Sequence, residues 1–287
     1  MAARDKQQKG SAVEKADVVE TRIVIGLDTS FLTREALSLA ARLAASMDAR
    51  LKGIFVEDEN LLALSSLPFA REVSFSGEVR DLDPERMLRA MRAQAESARR
   101  MLARVAAEAH VDWSFDVKRG RPLSSIAAGA GADDTLVIRS ASASSHEVGR
   151  TVRAATLDAH ADVLLVARGV GIKGAFAVSS LPAGVAGRGI VSVDEGSSLG
   201  ESCAAFAETL AARIGVPFRR LGAKGRSPAD VATDARAAGA GLLIVNAGWL
   251  GDDEDAARLS AAAGCPILLL GAEREAHPAS SPAEKGD

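Results

Sequence analysis

Arg22-Ile23-Val24-Ile25-Gly26-Leu27-Asp28 is a short apolar run that ends on an aspartate, and Arg188-Gly189-Ile190-Val191-Ser192-Val193-Asp194 repeats it. In both copies a glutamate, Glu35 or Glu201, follows seven residues after the aspartate inside a helical pattern. Further on, Gly120-Arg121-Pro122 has a counterpart in Gly225-Arg226-Ser227-Pro228. Each is followed by a helix-like stretch and a second apolar run, Thr135-Leu136-Val137-Ile138 or Leu242-Leu243-Ile244-Val245. A third run closes each copy: Val163-Leu164-Leu165-Val166 and Pro266-Ile267-Leu268-Leu269-Leu270. Matched elements in one order in both halves point to two related units.

The first unit, residues 21–169, opens with a strand of the kind buried on both faces of a parallel sheet. Asp28, Thr29 and Ser30 offer a cap for the helix that follows, in which Leu32, Ala36, Leu39, Ala40, Leu43 and Met47 share one stripe at helical spacing. A strand over Leu51–Val56 comes next. Residues 57–82 then lose regular pattern and carry Leu61, Leu62, Leu64, Leu67, Phe69, Val73 and Phe75, an apolar insertion too long for a simple loop. Asp83-Pro84 is a strong helix start. That helix has an inner stripe of Met87, Met91, Ala95, Ala98, Met101 or Leu102, and Val105 beneath an arginine-rich outer face. Acids are interspersed among those arginines, so the face reads as solvated. Strands at Asp112–Val117, Thr135–Ile138 and Asp162–Ala167, with helices at Leu123–Gly129 and Val148–His160, complete the unit.

The second unit, residues 188–272, is shorter. It holds a long helix (198–214), a strand (216–221), a short helix (228–238) and the last two apolar runs, without the insertion and without one full βα unit. Residues 170–187 read as a linker, with Ala175–Val178 as an edge strand, while 1–20 and 273–287 read as flexible tails. The expected fold class is α/β: two tandem open, mostly parallel sheets with helices on both faces.

Composition narrows the function. A net charge of −3 and the absence of tyrosine, with only eight Phe and two Trp, argue against nucleic acid and against anionic lipid as partners. No apolar stretch approaches the length that crosses a bilayer, and the charged first twenty residues do not read as a secretory signal. The expectation is a soluble, cytoplasmic chain. Cys203 and Cys265 form no disulfide framework, and His110, His146, His160 and His277 do not pair with them at metal spacing.

The strand ending on Asp28, the immediate helix, the strand ending Val56-Glu57-Asp58, and Ala263-Gly264-Cys265-Pro266-Ile267-Leu268-Leu269 before the end resemble the universal stress protein family. The resemblance is to a tandem of two such domains, the second shortened, on an adenine-nucleotide-alpha-hydrolase-like fold. It implies a site for ATP after the fourth strand, where ATP-binding members carry Gly, two residues, Gly, nine residues, then Gly and Ser or Thr. Such glycines let main-chain amides approach phosphate, with a helix N-terminus behind them.

Neither unit writes that motif. In the first, Arg139-Ser140-Ala141-Ser142-Ala143-Ser144-Ser145-His146-Glu147-Val148-Gly149 has one glycine. In the second, Gly248-Trp249-Leu250-Gly251 supplies the start, but Ala261 and Ala262 stand where the last Gly and Ser or Thr belong. Asp252, Asp253, Glu254 and Asp255 occupy the first turn. They suit a helix N-terminus as caps and repel a polyanion, each pair by about 1 kcal/mol at surface dielectric values. A Gly-x-Ser-x-Gly elbow and a Walker-type phosphate loop are both missing.

The sequence therefore reads as a non-catalytic universal-stress-like protein with a degenerate ATP motif, in a stress or regulatory role, with neither a cofactor nor a metal. It would act through contacts with a protein partner the sequence does not name, or through self-association or pairing of its own two units. The alternative is adenine-nucleotide binding in the first unit's cleft, with Asp28 and Thr29 at the ribose, the backbone near Val56 at the adenine edge, and Ser140 and Ser142 at the phosphates. Asp28 and Asp194 end first strands, where open α/β sheets bind ligands. Helix capping competes for both, and for Asp194 capping is the expectation.

Overall fold

The structure, a computed structural model, describes residues 21–28, 31–74, 76–139, 145–166, 188–252 and 255–271. The expected tails and the linker with its edge strand lie outside the described residues.

The first half runs β1 (Arg22–Gly26), α1 (Phe31–Met47), β2 (Arg50–Asp58), α2 (Glu59–Ser65), β3 (Arg71–Val73), β4 (Val79–Asp81), α3 (Pro84–Ala109), β5 (Trp113–Gly120), α4 (Pro122–Ala127), β6 (Asp134–Arg139), α5 (Ser145–Arg153) and β7 (Asp162–Val166). Helix α5 continues into a π-helical turn, Ala154–Asp158. The second half runs β8 (Gly189–Asp194), α6 (Ser198–Ile214), β9 (Phe218–Gly222), α7 (Pro228–Ala237), β10 (Ala240–Asn246), α8 (Asp255–Ala263) and β11 (Ile267–Leu270).

The α/β architecture is as expected, with mostly parallel strands and helices on both faces. The two expected sheets, however, are one. Nine strands lie in the order β5-β2-β1-β6-β7-β11-β10-β8-β9. Every neighbouring pair is parallel except β7 and β11, which meet antiparallel with Leu164 opposite Leu268. Read outward from that seam, β7-β6-β1-β2-β5 on one side faces β11-β10-β8-β9 on the other. The first strands β1 and β8 thus take the same place in each half, and β5 has no counterpart.

The seam is held on three levels. Buried Asp162 accepts the Gly271 amide at 3.0 Å, tying the chain ends of β7 and β11 together. Gly271 is required by close approach: a Cβ there would sit 2.6 Å from the His160 carbonyl oxygen. Both apolar layers cross the seam. One face joins α1 and α3 residues such as Leu37, Leu43 and Leu102 with Cys203 and Leu210 of α6. The other joins Val148 and Val152 of α5 with Leu259 and Ala263 of α8. Arg213 of α6 also reaches the first half, donating to the Ser46 carbonyl at 2.9 Å and to Asp48 at 3.0 Å.

The local signals in the sequence have clear physical counterparts. Asp83 caps α3 through the Glu85 amide at 3.0 Å, with Pro84 opening the helix, and the stripe Met91, Ala95, Ala98, Leu102 is buried beneath it. The insertion is more ordered than its pattern suggested. Asp58 caps α2 through the Asn60 amide at 2.9 Å, and β3 and β4 form a small antiparallel hairpin with Arg71 opposite Asp81. The hairpin strands are three residues each and largely exposed, so they leave no alternation to read.

Candidate functional site

The carboxyl ends of β1 and β6 border the point where the first half's strand order reverses, since β2 lies on one side of β1 and β6 on the other. Open α/β sheets place their clefts there. A cleft of about 250 Å³ occupies this position, lined by Asp28, Val56, Leu61, Met91, Ile126 and Arg139 among others. Its floor is tight. A Cβ on Gly26 would fall 2.2 Å from the end of the Ile126 side chain of α4, which would have to turn aside to admit it.

Asp28 and Val56, two of the predicted site residues, are brought together in this cleft. Thr29, Ser140 and Ser142 lie outside the described residues. Asp28 is held by the protein itself. The Arg139 guanidinium donates to its Oδ2 at 2.8 Å, and the hydroxyl of buried Thr33 donates to Oδ1. Arg139 was quoted in the sequence only as the start of the serine-rich stretch. Its position one residue beyond a buried strand, beside the strand that ends on Asp28, was the available signal. Glu57 was likewise given no role. It is largely buried at the end of β2 and accepts from Arg119 Nε at 3.1 Å and Nη2 at 2.8 Å.

In the second half, Asp194 does not cap α6. The N-cap is Ser197, whose hydroxyl accepts the Gly200 amide at 3.1 Å. Asp194 instead accepts the Gly196 amide at 2.9 Å and Arg220 Nε at 2.9 Å, closing a turn and bridging to β9. Both first-strand aspartates therefore pair with an arginine from a neighbouring strand.

After β10 the chain makes a single 3-10 turn, Ala247–Trp249, and its amides meet the protein's own side chains. The Gly248 amide donates to buried Asn246 Oδ1 at 2.7 Å. The amides of Gly251 and Asp252 donate to Asp255 Oδ2 at 3.0 and 3.1 Å. The Asp255 amide returns to Asp252 Oδ1 at 2.9 Å. Arg258 Nη1 approaches Asp252 at 3.1 Å and Asp255 at 3.8 Å, so the acids here are neutralised locally. Asp253 and Glu254 lie outside the described residues.

Both cysteines are buried, and neither is disposed for chemistry. Burial pushes the Cys203 thiol up to about 12, with the negative charges of Glu195 and Asp162 acting in the same direction and a hydrogen bond from Asn246 opposing them. Burial likewise lifts Cys265 to about 12, against a smaller opposing effect of Arg188. Among the described residues no group of three or more His, Cys, Asp or Glu is placed to hold a metal ion. None of the described helices is long and apolar enough to cross a membrane.

The universal stress protein from Archaeoglobus fulgidus DSM 4304 superposes on the chain with a TM-score of 0.58, over 88% of this chain and 96% of that one, at 10% identity. The chain has the universal-stress-protein fold. Two weaker likenesses add nothing to that assignment. The cytoplasmic domain of a prokaryotic cation chloride cotransporter gives a TM-score of 0.44 at 12% identity, over 90% of this chain and 98% of that one. A universal stress protein in complex with cAMP gives a TM-score of 0.33 at 19% identity, over 51% of this chain and 96% of that one. No family model matches the sequence, and no curated protein matches it. At such low identity the universal-stress fold is shared while its side chains are this chain's own.

Proposed function

We propose that this chain is a non-catalytic protein built as two fused universal-stress-like units, whose ATP motif is degenerate and which acts through protein contacts in a stress or regulatory role. One observation carries the reading. Six of the seven exposed large hydrophobics among the described residues, namely Leu61, Leu64, Leu67, Phe69, Val73 and Val79, fall in the insertion 57–82. An apolar set concentrated on one segment of an otherwise polar surface marks an interaction site. The pairing of β7 with β11 supports the fused-unit part, since it closes the two inner sheet edges against each other within one chain.

The degenerate motif is supported by the hydrogen bonds after β10. Amides that would grip phosphate donate to Asn246 and Asp255, and a triphosphate would have to displace a carboxylate to reach them. In the first half, Asp28 is engaged by Arg139 and Thr33.

Site-specific photo-crosslinking in the native cell tests the contact surface. A crosslinker replacing Phe69 should yield protein adducts, whereas one replacing Arg104, on the exposed face of α3, should not. Adducts from neither position, or equally from both, would contradict the proposal. The second reading, adenine-nucleotide binding in the first cleft, draws on the cleft's place at the reversal of strand order. It requires ATP to raise the melting temperature by linkage.

A further inference from the structure

The first-half cleft has a chemistry of its own. Its walls are Ile54, Phe55, Met91, Leu123, Ile126 and Ile138, with Leu61 at the rim. Every charged side chain that lines it is already engaged. Arg139 and Asp28 pair at 2.8 Å, and Asp58 is spent on the α2 cap. An anionic ligand would have to break the Arg139–Asp28 pair while being desolvated itself. Gln94 is the uncharged polar side chain among the residues that line the cleft.

We propose that this cleft binds a small, neutral, mainly apolar molecule, of the one- or two-ring aromatic class, with at most one polar group facing Gln94. Size follows from the volume of about 250 Å³. An apolar cavity of about 150 Å³ accommodates benzene, which scales to about ten non-hydrogen atoms here. That is well short of a nucleoside triphosphate. Apolar walls provide the driving force, and the single amide sets orientation.

Fluorescence titration with 1-aminonaphthalene, a neutral two-ring probe with one polar group, tests the inference on the full chain. One molecule should bind per chain, at least about tenfold more tightly than 1-naphthalenesulfonate, whose charge finds no free partner. Leu61→Trp, at an exposed position on the rim, should close the cleft and weaken binding by about tenfold or more. Phe69→Ser, on the exposed insertion but not lining the cleft, should leave it unchanged. Absence of saturable binding would overturn the inference. So would equal affinity for the sulfonate, or binding that survives Leu61→Trp and disappears in Phe69→Ser, which would locate the probe on the insertion surface. A parallel ATP titration separates this inference from the proposed function: inert ATP with no probe binding overturns the cleft ligand alone, whereas saturable ATP binding overturns the degenerate motif.

Discussion

Asp28→Asn isolates the charge at the end of β1 without removing its shape. Asparagine keeps a carbonyl oxygen to accept from Thr33, so the loss falls on the contact with Arg139. That contact is 2.8 Å long, between a guanidinium 17% exposed and a carboxylate 51% exposed. Two unit charges about 4 Å apart attract by about 4 kcal/mol at an effective dielectric of 20. Desolvation of the guanidinium offsets much of this, and a hydrogen bond to a charged group leaves about 1.5–3 kcal/mol net. Half-exposure of Asp28 brings solvent screening, which lowers the figure to about 1 kcal/mol. For a chain of this size that corresponds to a melting temperature lower by about 2–4 °C. Thermal unfolding of Asp28→Asn, Arg139→Gln and the double variant gives the coupling directly. The expected result is a coupling of about 1 kcal/mol, with the double variant less destabilised than the sum of the singles. Strict additivity, or an Asp28→Asn protein as stable as the wild type, would refute the assignment of Asp28 as a structural partner of Arg139.

Three further outcomes follow from the same geometry. Gly271→Ala forces a methyl to 2.6 Å from the His160 carbonyl and should cost about 1–3 kcal/mol by overpacking, read as a lower melting temperature. Asp255→Ala deprives the Gly251 and Asp252 amides of their acceptor and should cost about 1 kcal/mol, as loss of a helix-terminal cap does; unchanged stability in denaturant titration would contradict it. Both thiols should resist Ellman's reagent at pH 8 in the native protein and react in full once it is unfolded, because their folded values stand near 12. The sign of the pH effect is set by that rise. Stability linked to the thiols is complete below their unfolded values near 8.5 and falls as pH climbs toward 12, by as much as about 1.4 kcal/mol per unit for each. Replacing Cys203 and Cys265 with alanine should flatten that alkaline decline.

Much of the architecture was legible because local signals and global fold agree. The two Asp-terminated strands did take equivalent places, third from the seam on either side, and Asp83-Pro84 did open α3 with Met91, Ala95, Ala98 and Leu102 inward. The seam itself was not legible. Val163–Val166 and Ile267–Leu270 are buried throughout, and a uniformly apolar strand carries no alternation to fix its partner or direction. The insertion was read as irregular because β3 and β4 are short and exposed, so their pairing writes no hydrophobic pattern. Asp28 and Val56, named from the sequence, both line the cleft, while Arg139 was missed as the partner of Asp28. The two are 111 residues apart, and only the parallel pairing of β1 with β6 brings them together. The role of Asp255 is a different case. Sequence placed a carboxylate at the start of α8 as a cap, but did not show that its oxygen would accept the Gly251 and Asp252 amides.

The central proposal is that the amides after β10 are taken by the chain's own Asn246 and Asp255 side chains and so bind no phosphate. Native mass spectrometry of the purified, desalted protein tests it most directly. The account predicts a chain mass without any adenine nucleotide, both as purified and after incubation with millimolar ATP and magnesium. A stoichiometric ATP, ADP or AMP adduct that survives desalting would contradict it.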